Sequence, residues 1–366
     1  MKKIMLVCGA RPNFMKISPI IKAMERSRNV KPYLVHTGQH YDEKMSKSFF
    51  DLLHIPKPDV DLEVGSGSHA EQTGKVMVEF EKTCQREKPD LVVVVGDVNS
   101  TMACAITAKK LWIPVAHVEA GLRSWDMKMP EEVNRVVTDS LCDLFFTTDP
   151  DANANLAKTG VEASRVHFAG NVMIDTLLDN VELAKDNPIL ETMGVKAGGY
   201  GFLTMHRPSN VDDREILGGL LGAFGYIQEK LPIVFPAHPR TVKMIREFGF
   251  GDVLKGMRNL KVCEPLDYHQ MLKLNRNARF ALTDSGGLQE ETTVLGIPCI
   301  TMRNNTERPV TVEVGTSEVV GNDPAKIKDA ADRILAGKWK KGGIPEGWDG
   351  KAGERIVAVL EDFLRT

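Results

Sequence analysis

The chain has 366 residues, 42% of them hydrophobic and 26% charged, with 47 Lys and Arg against 49 Asp and Glu. That balance excludes a disordered or collagen-like chain, and the length makes two domains of about 100–200 residues the expectation. The net charge of −2 removes bulk basicity as a reason to expect nucleic acid as a partner.

Short apolar, β-branched runs recur along the first half: Ile4–Val7, Tyr33–His36, Leu91–Val95, Val115–Val118 and Leu144–Thr147. Leu91–Val95 is apolar at every position, as a parallel strand buried on both faces must be. Amphipathic stretches separate the runs, at Met15–Met24, Ala70–Lys88, Thr101–Leu111, Glu131–Leu141 and Ala152–Lys158. The alternation restarts after Pro188, with strand signals at Phe202–Met205, Ile233–Phe235, Leu260–Val262, Phe280–Thr283 and Cys299–Thr301. A final helix is expected at about Glu354–Leu364. The pattern predicts an α/β protein: two Rossmann-like, doubly wound domains facing each other across a cleft. In such sheets ligands bind beyond the carboxyl ends of the strands, so the polar residues just past each strand are the candidates for chemistry.

Six cysteines, none in a CxxC pair, read as buried thiols of a reducing, cytoplasmic setting. The apolar run after Met1-Lys2-Lys3 stops at Gly9, too short for a signal peptide, and no stretch is apolar enough to predict a membrane helix.

After the first strand comes Gly9-Ala10-Arg11-Pro12-Asn13-Phe14-Met15-Lys16, neither GxGxxG nor a Walker loop. Arg11 and Lys16 put two cations near a helix start, which suits an anion. After the third comes Gly96-Asp97-Val98-Asn99-Ser100, where Asp97 either enters the cleft or caps a helix. After the fourth, Glu119 sits in a turn of small residues, Ala120-Gly121, with no helical periodicity near it, so a solvated helix face explains it less well than it explains the other acids. Pro130-Glu131-Glu132 opens the next helix and has a full structural reading through the helix dipole. Several carboxylates brought to one side can have their proton affinities pushed apart, which makes donors and acceptors at neutral pH.

In the second half His206-Arg207 follows the first strand, and His238 in Pro236-Ala237-His238-Pro239-Arg240 is a weaker case of the same kind. Asp284-Ser285-Gly286-Gly287 bridges a strand and a helix. The backbone N–H groups of Ser285, Gly286 and Gly287 could point at a diphosphate, while Glu290 or Glu291 could accept from ribose hydroxyls. HExxH, paired Cys/His metal spacing and GxSxG are all missing, so no metal or acyl-transfer chemistry is indicated.

The ordered set resembles the non-hydrolysing UDP-N-acetylglucosamine 2-epimerases, relatives of the GT-B glycosyltransferases. It comprises Gly9–Pro12 with Lys16, Thr37-Gly38-Gln39-His40, Gly96-Asp97, His117–Arg123, Pro130–Glu132 with Asn134-Arg135, Gly170-Asn171-Val172 with Asp175, His206-Arg207, Asp284–Gly287 through Glu291, and Thr306-Glu307-Arg308-Pro309. The resemblance implies a GT-B-like fold with a first domain of residues 1–172 plus the helix 354–366 and a UDP-binding domain of 173–353. It implies a homodimer, no cofactor, and reversible conversion of UDP-GlcNAc to UDP-ManNAc. UDP is eliminated across C1–C2 to leave 2-acetamidoglucal and is then re-added, with domain closure to retain the intermediate. Asp97, Glu119 and Glu131 match the family's acid/base carboxylates, and His206 its catalytic histidine. Arg11, Ser285, Gly286 and Glu291 match its UDP contacts; Gly287, His238, Lys16 and Arg135 complete the expected binding set.

Many bacterial relatives bind a second UDP-GlcNAc as an activator. The corresponding polar and cationic positions here are Asp42 and Glu71, whose charge would repel a diphosphate, so no such activation is expected. Competing readings are a hydrolysing epimerase that releases free ManNAc, an epimerase of a diacetamido-uronate nucleotide, a GT-B glycosyltransferase, and a sensor that binds without turnover.

Overall fold

The computed structural model describes residues 1–38, 52–53 and 55–365, apart from the side chain of Arg11. Gln39, His40 and Asp42 therefore lie outside the described residues. The chain divides into two compact units: Met1–Thr176 with Glu346–Thr366, and Leu177–Pro345.

The first unit is built on seven parallel strands: β1 (Lys2–Cys8), β2 (Val30–His36), β3 (Val60–Asp61), β4 (Leu91–Val95), β5 (Val115–Val118), β6 (Leu144–Thr147) and β7 (Val166–Phe168). Their order is β3-β2-β1-β4-β5-β6-β7. The order reverses between β1 and β4, the switch point at which α/β sheets leave a crevice. All five residues of β4 are buried, as its unbroken apolar run requires. One face packs Met5, Val7, Val92 and Val94 against Val76 and Phe80 of the helix His69–Glu87 and Ala103 and Cys104 of the helix Asn99–Lys110. The helices His69–Glu87, Asn99–Lys110 and Pro130–Leu141 lie side by side. The last helix, Ala352–Phe363, packs on the helix Arg11–Glu25. Asp175 fixes its start by accepting from the N–H groups of Ala352 at 3.1 Å and Gly353 at 2.8 Å. That N-terminal capping accounts for the aspartate noted in the sequence.

The second unit repeats the plan with six parallel strands: β8 (Gly201–Thr204), β9 (Ile233–Pro236), β10 (Leu260–Cys263), β11 (Phe280–Thr283), β12 (Cys299–Thr301) and β13 (Ser317–Val319). Their order is β10-β9-β8-β11-β12-β13, with the reversal between β8 and β11. Leu203, Phe235 and Leu282 face one apolar cluster; Phe202, Val234 and Ala281 face another, so both sides of the sheet are covered. The strands β3, β7 and β13, of two or three residues at or near sheet edges, are the ones the sequence pattern does not disclose. Edge strands need no long apolar run because they bury little. The six cysteines are free thiols, five buried and Cys263 partly so. Among the described residues no helix is long and apolar enough to cross a membrane.

Candidate functional site

In the first unit the candidates gather at the ends of β1, β4 and β5. Val95 pairs with Val118 across β4 and β5, so Gly96-Asp97 and Glu119 leave the sheet as neighbours. Glu119 has φ +68°, a left-handed conformation that a glutamate adopts only under strain, of order 1 kcal/mol. It is buried, and its Oε2 lies 2.6 Å from the ammonium of Lys16, itself buried. Gly96, at φ +67°, makes the room: a Cβ there would come within 2.6 Å of that ammonium. Burying both partners is tolerable only because they are paired.

Asp97 is partly exposed and its Oδ2 sits 2.5 Å from Arg135, which is buried. Arg135 also donates from Nε to Glu132 at 2.9 Å. Glu132 in turn accepts from the backbone N–H groups of Ser124 and Trp125, each at 3.0 Å. The amide of Asn134 donates to the backbone oxygen of Asp97 at 2.9 Å. The helix Pro130–Leu141 thus turns Glu132, Asn134 and Arg135 inward and leaves Glu131 exposed on its first turn. The buried acid is the neighbour of the one picked out from sequence. The i,i+3 spacing of Glu132 and Arg135 is the signal that could have found it.

Behind these groups His117, wholly buried on β5, places Nδ1 2.7 Å from Asp139 and Nε2 2.8 Å from the carbonyl oxygen of Gly96. Asp139 also meets Arg123 at 2.6 Å and accepts from the N–H of Gly121 at 3.1 Å. Burial alone would push the Asp139 carboxyl up; His117 and Arg123 outweigh it and hold it below the usual range. Arg11 begins the helix after β1, but its side chain is outside the description.

In the second unit the candidates follow β8 and β11. Asp284, fully buried, accepts from the backbone N–H groups of His206 and Arg207, both at 2.9 Å, and from the Asn210 amide at 3.1 Å. The ring Nδ1 of His206 lies 2.9 Å from its other oxygen. Burial raises the Asp284 carboxyl, yet His206 and these N–H groups leave it lowered overall. The result is a histidine locked by Nδ1 to an acid, with its side chain 43% exposed. His238 is exposed, caps the helix Pro239–Glu247 through Nδ1 and lies with its ring 5.6 Å from that of His206.

Ser285 is the N-cap of the helix Gly286–Leu295. Its own N–H is spent on the Thr283 hydroxyl at 2.9 Å, which corrects its expected place among the backbone donors. The first-turn donors are the N–H groups of Gly286 and Gly287, and the Ser285 hydroxyl reaches Leu288 N only at 3.5 Å. Gly286 is pressed against an ion-pair cluster: a Cβ would fall 2.8 Å from Glu307 Oε1 and 2.9 Å from Arg308. Glu307 pairs with Arg308 at 2.7 Å and Arg303 at 2.6 Å, and Arg308 also meets Glu290. Those guanidinium groups hold the Glu307 carboxyl well below its usual range despite burial. Glu290 is therefore committed to Arg308. Glu291 is buried, accepts from the Asn275 amide at 3.2 Å, and is pushed by burial up to about 7. Glu307 and Arg308 belong to the motif Thr306–Pro309, whereas Arg303 carries no local sequence signal.

A family model for UDP-N-acetylglucosamine 2-epimerase matches residues 22–361. The UDP-N-acetylglucosamine 2-epimerase of Methanocaldococcus jannaschii is 45% identical over 365 residues, 98% of each chain. The UDP-2,3-diacetamido-2,3-dideoxy-D-glucuronate 2-epimerase of Pseudomonas aeruginosa is 38% identical over 361 residues, 98% of this chain and 99% of that one. A crystal structure of the M. jannaschii UDP-GlcNAc 2-epimerase in complex with UDP-GlcNAc and UDP superposes with a TM-score of 0.89 at 45% identity, covering 98% of this chain and 99% of that chain.

Proposed function

The chain belongs to the UDP-N-acetylglucosamine 2-epimerase family, and from that premise we propose that it interconverts UDP-GlcNAc and UDP-ManNAc without hydrolysis. The observation that carries the reading is the pair of carboxylates at adjacent strand ends, Asp97 and Glu119, each held by a buried cation, Arg135 and Lys16.

The reaction needs two kinds of help. A carboxylate removes the C2 proton while the C1–O bond breaks. The C–H electrons become the C1=C2 double bond, and the C–O electrons leave with UDP. On return the phosphate oxygen adds to C1, and a proton reaches C2 from the opposite face. Asp97 and Glu119 supply two proton-handling groups, and Glu131, exposed on the first turn of the helix Pro130–Leu141, is the third. UDP leaves only if its charge is stabilised, which falls to Arg11, to His206 through Nε2, and to the N–H groups of Gly286 and Gly287 with the Ser285 hydroxyl. Glu291 takes the ribose hydroxyls, and His238 stands beside His206 at the ligand.

The free thiols support a cytoplasmic setting. Homodimer formation fits the side-by-side helices of the first unit, whose outer faces expose Val78, Val133 and Val136. Glu71 is engaged with Ser68 in a capping box, which supports the absence of activation by a second nucleotide; initial rates are expected to be hyperbolic in substrate.

Incubation with UDP-GlcNAc in heavy water, followed by NMR, tests the proposal. Deuterium at C2 together with a UDP-linked manno signal is the expected result. Free ManNAc would overturn the non-hydrolysing reading, and an unlabelled, unchanged sugar would overturn epimerisation altogether. The identity to the P. aeruginosa enzyme makes a UDP-diacetamido-glucuronate the second substrate to assay. Faster turnover of it than of UDP-GlcNAc would transfer the proposal to that sugar.

A further inference from the structure

Among the buried titratable groups that the mechanism above leaves unused is His117. His117 is wholly buried, two residues before Glu119, and each ring nitrogen meets an oxygen at hydrogen-bond distance: Asp139 Oδ1 at 2.7 Å and Gly96 O at 2.8 Å. A carbonyl oxygen can only accept. Asp139 shares its second oxygen with Arg123 at 2.6 Å and the N–H of Gly121 at 3.1 Å, so it too is an acceptor throughout. The ring is therefore clamped between two acceptors, one on each side. We propose that His117 is a positioning residue that fixes the two turns bearing Asp97 and Glu119 in one arrangement.

The connections say what it positions. Gly96 is claimed by β5 on both sides of its backbone: its N–H donates to Val118 O at 3.0 Å and its carbonyl takes the His117 Nε2–H. The peptide that launches Asp97 is thereby pinned in its left-handed turn. Through Nδ1 the same ring holds Asp139, which grips the N–H of Gly121 two residues past Glu119. Asp139 lies on the helix Pro130–Leu141, which also delivers Arg135 to Asp97. One ring therefore bridges the end of β4, the turn after β5 and the helix that completes both. The charged groups that meet this cluster are Asp139 from the helix and Arg123 from the loop after β5, whose guanidinium is further satisfied by the carbonyl of Leu122 at 2.8 Å. Cys142, one turn beyond Asp139, has its thiol pushed well up by burial and adds no charge.

The link to turnover rests on Asp97 and Glu119 as the proton-handling groups; the placement of the two turns does not. In His117→Gln one side chain can no longer reach both acceptors, and we expect kcat for epimerisation to fall about 10²-fold, the scale of a small misplacement of reacting groups, with the Kd for UDP unchanged within about twofold. Full kcat in that variant, or an equal loss of UDP affinity, would overturn the positioning role. A crystal structure of the same variant is expected to show the Gly96 and Gly121 peptides displaced; both turns unmoved would overturn the proposal. If that variant does not fold, Asp139→Asn, which keeps the shape and removes the charge that holds the ring and the Gly121 N–H, is measured in the same two ways with the same expected results. If the wild type shows no epimerisation while the turns move in the variant, the functional reading fails and the positioning stands.

Discussion

The two units carry the same sheet plan and the same switch point, yet they equip it in opposite ways. At β1, β4 and β5 the first unit surrounds its carboxylates with buried ion pairs, Lys16–Glu119 and Arg135–Asp97, and holds Glu119 in a strained backbone conformation. At β8 and β11 the second unit presents a half-exposed histidine, an N-cap serine and a pair of first-turn glycines. On the proposed reading the first arrangement fixes acids for proton transfer, where an error of an ångström is costly. On the same reading the second offers donors whose partners come from outside, as an anion site must. The fold is thus neutral about chemistry; side chains at strand ends decide it.

The sharpest way to break this division is Glu119→Gln, which keeps shape and removes proton transfer. If the first unit supplies the acid/base chemistry, kcat falls by about 10²–10⁴ while UDP affinity, measured by calorimetry, stays put. Activity within tenfold of wild type would remove Glu119 from the reaction. Next in size is Lys16→Met. It leaves the buried Glu119 carboxylate without its cation, and unfolding free energy in urea is expected to drop by about 3–5 kcal/mol. A loss under about 1 kcal/mol would show that the pair is not the buried link described above.

Glu291 supplies the counterpart in the second unit. Burial places its carboxyl at about 7, above the ordinary value. A raised carboxyl favours the folded state fully at low pH, and that advantage disappears as pH climbs from the unfolded value through the folded one. The difference corresponds to about 3 kcal/mol, lost between about pH 4 and pH 8. Urea denaturation of wild type and Glu291→Gln at both ends of that window checks it: the variant's stability is expected to stay flatter with pH. Parallel profiles would mean that the acid is not buried as described. Because a charged acceptor binds hydroxyls more strongly than a neutral one, UDP affinity is also expected to rise with pH across the same window.

What was readable in the sequence follows the same contrast. Apolar runs that end in Gly-Asp, Glu-Ala-Gly or Asp-Ser-Gly-Gly advertise strand ends, and so the sheets and the first ring of polar residues were legible. Pairing across the fold was not. Nothing local says that Arg135 reaches back 38 residues to Asp97, or that Asp284 is consumed in holding His206 rather than in facing ligand. The neighbours Glu131 and Glu132 differ in role only through helix phase, which one buried partner, Arg135, sets. Likewise Glu307 and Arg308 look like a charged loop until the packing against Gly286 shows them to be its floor.

The smallest effect separates the two units most cleanly, because it compares two serines in the same structural position. Ser68 caps the helix His69–Glu87 and is locked in a reciprocal box with Glu71: the Glu71 N–H reaches its hydroxyl at 3.3 Å, and Glu71 Oε2 takes the Ser68 N–H at 3.0 Å. Ser285 caps the helix Gly286–Leu295 through the Leu288 N–H alone, at 3.5 Å, and Leu288 at the third position has no carboxylate to return a bond. A cap locked by a reciprocal pair serves stability, whereas a cap without one can turn its hydroxyl to a phosphate. Ser68→Ala is therefore expected to cost about 1 kcal/mol of stability and leave UDP binding untouched. Ser285→Ala is expected to leave the melting temperature nearly unchanged and weaken UDP binding about tenfold, the value of one hydrogen bond to a charged group. The reverse pattern, with UDP affinity indifferent to Ser285 and stability dependent on it, would make the second helix start an ordinary cap and move the anion site elsewhere.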